Sequence, residues 1–320
     1  MNFIKKSIFI ILVSFFFGFS AKAEVNVVTT IKPLHSLVSS VMKGVGEPSL
    51  IIEGTNNPHT FVFKPSHAEM IENADIVFWI GEDLEAFMEK PLDSLAKNAK
   101  TISFMDLASI EKLKFREQNI FDDHDGHDGH DDEHDGHDDH DEHAGHHDGH
   151  NHGEFDAHIW LDPANAKEMV LEISHELSEL DPSNKSKYED NASKTIVALD
   201  KLIEEVDKSL SKDISYIVFH DAYQYFEKRF GVIPAGALTL NPDVLPGAKQ
   251  IADIQDVIND KGIKCIFSEP QYNPKIIETI GNDMKISTGV MDPLGAYIDA
   301  GPSMYSDLIN GIANSIKDCH

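Results

Sequence analysis

Short runs of β-branched and aromatic residues alternate with helix-patterned segments on both sides of one long, glycine-free helical stretch. That alternation restricts the chain to few architectures. In the first half, residues 25–29 (VNVVT), 50–53 (LIIE) and 76–80 (IVFWI) read as strands, with helices over 36–45 and 65–73 between them. Pro65 suits a first helical turn, where a missing N–H costs nothing. In the second half, 216–219, 263–268 and 286–290 read as strands, and 222–230, 250–261 and 274–280 as helices. Such alternation builds parallel sheets covered by helices. Between the halves, Asp181-Pro182 reads as a cap followed by proline at the first helical position, opening a helix to about Leu210. Leu199, Leu202, Ile203, Val206 and Leu210 form its apolar stripe. At 1.5 Å per residue it would run roughly 40 Å. The expected fold class is therefore α/β: two lobes, each with a parallel-type sheet flanked by helices, bridged by one long rigid helix. The expected boundaries are 24–180 for the N-terminal lobe, 181–211 for the bridging helix and 212–320 for the C-terminal lobe.

Residues 122–156 interrupt the first lobe with a tract of histidine, aspartate and glycine that contains no Lys or Arg. Its histidines are His124, His127, His130, His134, His137, His140, His143, His146, His147, His150 and His152. With almost no apolar side chains, it cannot offset its ordering entropy by burial, and a mobile loop is expected. Neutral imidazole beside carboxylate suits borderline divalent ions such as zinc, copper or nickel. The tract is expected to hold several such ions weakly; its plainer reading is a polyanionic spacer. It supplies about half of a formal net charge of −28, and a balance so acidic argues against nucleic acid as a partner.

Residues 1–23 (MNFIKKSIFIILVSFFFGFSAKA) combine a Lys5-Lys6 n-region, an apolar core too short to span a bilayer comfortably, and an Ala21-Lys22-Ala23 cleavage pattern. Export to the periplasm with cleavage after Ala23 is expected. No cysteine near that site could carry a lipid anchor. The only two cysteines, Cys265 and Cys319, are expected to pair in an oxidising compartment, two separate thiols being the alternative.

Ligands of open α/β sheets bind outside the carboxyl ends of the strands. His59 follows the second strand-like run, in NNPHT. His220 directly follows YIVF, Glu269 closes CIFS and Asp292 closes ISTGVM. His158 stands in DAHIWLDP, where order resumes after the tract. A cleft between the lobes could gather His59, His158 and His220 around one ion. Each alone is more plainly a capping or solvated residue, and Asp292 and Glu269 are more plainly caps or loop braces. His35 and His67 lie in helical runs and read as structural or exposed. His175 opens HELSEL, a failed zincin motif, because Glu179 is followed by Leu180 rather than histidine.

The stretches TTIKPLHSLV, NNPHTFVFKPSHAEMIENADIVFWIG, EAFMEKP, AHIWLDP, VFHDAYQYFEKRFG, NPDVLPGA, FSEPQ and MDPLG run through nearly all of the chain after residue 23. In them the sequence resembles the ZnuA family of periplasmic zinc receptors for ABC transporters, and the acidic histidine loop before AHIW is typical of that family. The resemblance implies Zn2+ as cargo with ligands at His59, His158 and His220, little hinge closure, and an inner-membrane permease as partner. It also implies a disulfide between Cys265 and Cys319. A monomer is expected. Three imidazoles favour zinc on softness and tetrahedral geometry, whereas manganese and iron relatives place carboxylates at two of four positions. Some zinc members carry glutamate just before the first histidine; here that position is Pro58, which cannot ligate. Water is the first choice for the fourth position, with Asp292 or a tract histidine as alternatives. Other readings stay open: a receptor for nickel, copper or manganese; an exported zinc hydrolase using Glu269 as base; an adhesin or metal buffer.

Overall fold

The computed structural model describes residues 25–121, 153–242, 244 and 246–319. The expected export signal, residues 1–23, and all eleven tract histidines lie outside the described residues. The first lobe runs β1 (Val27–Thr29), α1 (Lys32–Met42), β2 (Ser49–Leu50), α2 (Pro65–Glu72), β3 (Ile76–Trp79), α3 (Glu82–Glu85), α4 (Glu89–Leu95) and β4 (Lys100–Ser103). Helices α5 (Pro163–Leu180) and α6 (Lys185–Ser209) follow. The second lobe runs β5 (Ile217–His220), α7 (Gln224–Phe230), β6 (Gly236–Thr239), α8 (Ala248–Asp260), β7 (Cys265–Ser268), α9 (Lys275–Met284), β8 (Ser287–Val290) and α10 (Met304–Lys317).

Both sheets are parallel and share one topology, β2-β1-β3-β4 and β6-β5-β7-β8. Strands β1, β3, β5 and β7 are buried at every position, which is why they read as apolar runs rather than alternating ones; β6 is equally buried but its GALT sequence carries no such run. In each lobe the chain leaves the first strand toward one side and returns on the other. The switch points therefore lie between β1 and β3 and between β5 and β7, where an open sheet offers a crevice.

The first crevice is filled by the protein itself. Glu85, fully buried, accepts hydrogen bonds from the N–H groups of Ile80 (2.8 Å) and Gly81 (3.2 Å) just past β3. Burial pushes its carboxyl pKa up to about 7, although those N–H groups and the neighbouring Thr30 hydroxyl pull the other way.

The long helix α6 has 25 residues, about 38 Å at 1.5 Å per residue. It begins later than the Asp181-Pro182 pair suggests. Asp181 ends α5 instead, and its carboxylate accepts from Ser183 Oγ and Asn184 Nδ2 at 2.6 Å each, closing a tight turn between the two helices. Helix α6 packs against α5, α1 and α10. One continuous cluster of buried apolar side chains runs through both lobes, from Val28 and Leu34 through Trp160 and Val206 to Met291 and Leu308.

Polar ties cross the same interface. Lys32 Nζ, almost wholly buried, donates to the carbonyls of Gly295 (2.8 Å), Ala296 (2.9 Å) and Ile298 (3.0 Å). Ser36 Oγ donates to Gly301 O at 2.7 Å, and Tyr305 Oη to Trp160 O at 2.7 Å.

The strand leading into the tract leaves its own lobe. Residues 119–121 pair antiparallel with the free edge of β6, with Phe121 N donating to Ala235 O (3.0 Å) and Ala237 N to Asn119 O (2.8 Å). The approach requires a glycine: a Cβ on Gly236 would stand 2.5 Å from Asn119 O. This added strand covers an edge that would otherwise template aggregation. Cys265 and Cys319 are bonded, tying the end of the chain to β7.

Candidate metal centre

The second crevice, between β5 and β7, carries chemistry. His220 is the last residue of β5 and Glu269 the first after β7. Glu269 Oε1 lies 2.7 Å from His220 Nδ1 and accepts the His220 backbone N–H at 3.3 Å. His158 precedes a 3-10 turn, Ile159–Leu161, that leads into α5. Asp156 Oδ1 lies 2.6 Å from His158 Nδ1 and also accepts its backbone N–H at 3.0 Å. Asp156 is fully buried and held in turn by Gln224 Nε2 on its Oδ2 (3.1 Å) and by Tyr225 Oη on its carbonyl (2.6 Å).

With Nδ1 of both rings engaged by carboxylates, each imidazole keeps Nε2 as its lone-pair donor, the arrangement that metal-ligating histidines adopt. The two Nε2 atoms face each other at 3.3 Å. Two nitrogens about 2.05 Å from a zinc ion and separated by a tetrahedral angle would be about 3.3 Å apart. Two lone pairs at that distance repel unless a cation or a proton stands between them.

His59 comes from the opposite lobe, in the loop between β2 and α2. Its backbone N donates to Asn57 Oδ1 (2.9 Å), and Asn57 Nδ2 donates across the cleft to Tyr272 Oη (3.0 Å). The donor atoms of His59, His158 and His220 all lie within 4.8 Å of one another. Among the described residues this is the one such group of histidines, cysteines and carboxylates. The three rings line a small cavity with Trp160, Tyr272, Gln271, Pro293 and Leu294; its volume of about 10 Å3 has room for roughly one water-sized sphere. Burial alone would lower the pKa of His220, but the Glu269 carboxylate more than offsets it and the net shift is upward.

Behind the site, the guanidinium of Arg116 bridges Asp221 (2.6 Å) and Glu227 (2.7 Å), both buried. It clamps the strand that leads into the tract onto the residue next to His220.

The remaining candidates fall elsewhere. Asp292 stands outside the three-histidine group: its Oδ1 accepts from Leu294 N, Gly295 N and Gln271 Nε2 at 3.0 Å each, and its Oδ2 from Ala296 N at 2.6 Å. His35 lies 3.1 Å from Pro48 O, and His67 Nδ1 accepts from Lys64 N at the start of α2, so both brace local structure. His175 is exposed beside Glu179. Three contributors escaped the sequence reading. Asp156 was one carboxylate among fifteen in the tract, distinguishable only by its Asp-x-His spacing. Gln271 and Asn57 have side chains that sequence patterning does not single out.

Comparison with known proteins places the chain among zinc-uptake components. The profile of a family described as "Zinc-uptake complex component A periplasmic" matches residues 27–319. A high-affinity zinc uptake system protein ZnuA of Brucella abortus (strain 2308) is 49% identical over 304 residues, covering 92% of this chain and 91% of the relative. The Yersinia pestis protein of the same name is 33% identical over 299 residues, covering 93% and 92%. A solved structure titled "Crystal structure of ZnuA" superposes with a TM-score of 0.73 at 20% identity, covering 93% of this chain and 99% of that one.

Proposed function

The chain belongs to the ZnuA family of periplasmic zinc-uptake components, and from that premise we propose that it captures one Zn2+ between its lobes on His59, His158 and His220. The family consists of receptors that bind a substrate for transport, not of enzymes. Zinc is cargo here, and the partner is the ABC transporter that imports it. The observation that carries the site assignment is the pair of facing Nε2 atoms 3.3 Å apart, each on a ring whose Nδ1 is held by a buried carboxylate. His59 closes the site from the N-terminal lobe.

Binding to neutral imidazoles weakens as pH falls, because protons compete for the same nitrogens. Delivery follows when the permease draws one ligand away. The absence of carboxylates from the donor group supports zinc over manganese; nickel and copper share the ligand chemistry and are tested by competition. A cavity of about 10 Å3 leaves no space for an organic substrate beside the ion, which argues against a hydrolase. The tract acts as an accessory that holds further ions weakly, the leader is cleaved after Ala23, and the receptor is a monomer.

Calorimetric titration with zinc tests the reading on three proteins: the mature chain, a version lacking residues 122–152, and a His59→Ala, His220→Ala double variant. One tight site should survive removal of the tract and disappear in the double variant. Tight binding that goes with the tract and survives the double variant would overturn the assignment.

A further inference from the structure

A tetrahedral ion held by three imidazoles has a fourth corner, and one side chain in the cavity is built to serve it. Gln271 lines the same cavity as the three histidines. Its amide is oriented by Asp292: Nε2 lies 3.0 Å from Asp292 Oδ1, and an ionised carboxylate can only accept, so the nitrogen must face it and Oε1 must face away. That Oε1 is buried and has no hydrogen-bond partner. A buried carbonyl without a donor is costly, and such groups in native proteins call for an explanation. The same bond, with three backbone N–H groups, engages both oxygens of Asp292, the residue that would otherwise compete for the ion.

Resting on the three-histidine site proposed above, we propose that Gln271 Oε1 accepts a hydrogen bond from the water that completes the zinc tetrahedron, which makes Gln271 the positioning residue of the fourth coordination position. Zinc-bound water is a strong donor, and Gln271 lines the same cavity as the three imidazoles. The choice of a neutral amide matters. An amide oxygen would orient the water without acting as a base toward it. A carboxylate aimed at the same point would serve as a general base. The other unpartnered buried oxygen in the cavity, Glu269 Oε2, belongs to a side chain already committed to His220 through its Oε1.

The test compares wild type with Gln271→Leu and Gln271→Met; the second keeps the length of the side chain, so collapse of the cavity is not mistaken for loss of the acceptor. Zinc affinity is read by calorimetry, and the visible d–d bands are read on protein loaded with Co2+. Removing a hydrogen bond to the coordination sphere should weaken zinc roughly tenfold and shift the Co2+ bands, since the field at the fourth position changes. A residue that merely braces the Asp292 loop would lower the thermal stability of metal-free protein and leave the bands in place. Unmoved bands with affinity within about twofold of wild type in both variants would overturn the role of Gln271 and leave the three-histidine site standing. Tight zinc binding by the His59→Ala, His220→Ala variant would overturn the site and this role together.

Discussion

Asp156 and His158 form a closed unit three residues long: one carboxylate oxygen accepts from the backbone N–H of the histidine and engages its ring Nδ1, at 3.0 and 2.6 Å. The carboxylate orients the ring and favours the tautomer that leaves Nε2 as lone-pair donor. Asp156→Asn keeps the size of the side chain and removes its charge, so the ring loses basicity and certainty of tautomer. Zinc affinity measured by calorimetry should fall 10- to 100-fold, roughly the range found for such supporting groups, with the fold intact by circular dichroism. Unaltered affinity would mean that the carboxylate does not tune the ligand.

Glu85 should make stability pH-dependent in the direction opposite to an ordinary paired carboxylate. Its folded pKa of about 7 lies above the reference value of 4.5. Below pH 4.5 the proton is held in both states and its contribution is fully present. As pH rises through 7 the native protein is forced to ionise a buried group, and the contribution is lost, roughly 3 kcal/mol in all. Glu85→Gln should flatten the pH dependence of urea stability across this window, and a slope equal to wild type would refute the assignment.

Lys32 satisfies three carbonyls of the 295–298 loop from the other lobe. Lys32→Met fills the same space and leaves those carbonyls without their donor. Unfolding free energy from denaturant titration should fall by at least about 2 kcal/mol. A variant as stable as wild type would show that water replaces the ammonium at no cost.

Cys265 and Cys319 are 54 positions apart in sequence. Closing a loop of that size restricts the unfolded chain by about 4 kcal/mol in the loop-entropy treatment. Cys265→Ser with Cys319→Ser should lose stability of that order while zinc affinity stays near wild type, since neither cysteine lines the metal cavity. A large loss of zinc affinity would mean that the bridge also shapes the site.

Much of this architecture is legible in the chain. Strands such as IVFW and CIFS are buried on both faces, so their apolar runs are unbroken and stand out. The edge strand β4 (KTIS) is partly exposed and offers no such run, and β6 (GALT) begins with the glycine that the approach of Asn119 demands; neither was assigned. The Asp181-Pro182 pair marks a helix boundary, but the stop of one helix rather than the start of the next, because a cap residue and a turn-forming acid look alike in one dimension. At the site, histidines at the ends of strand-like runs are visible from their positions. The groups that orient them are set by tertiary approach: Glu269 meets His220 across 49 residues, and Gln271 meets Asp292 across 21.

The apolar core that runs unbroken through both lobes leaves this receptor little room to open and shut. Empty and loaded forms built on such a core would share nearly the same outline. What distinguishes them is two units of positive charge, set in a protein whose formal charge is −28. A permease that accepts only the loaded form has to sense that change in field at the mouth of the cleft, over distances comparable to the Debye length. Its ability to tell full from empty should therefore fade as ionic strength rises, in a way that a partner reading shape would not show.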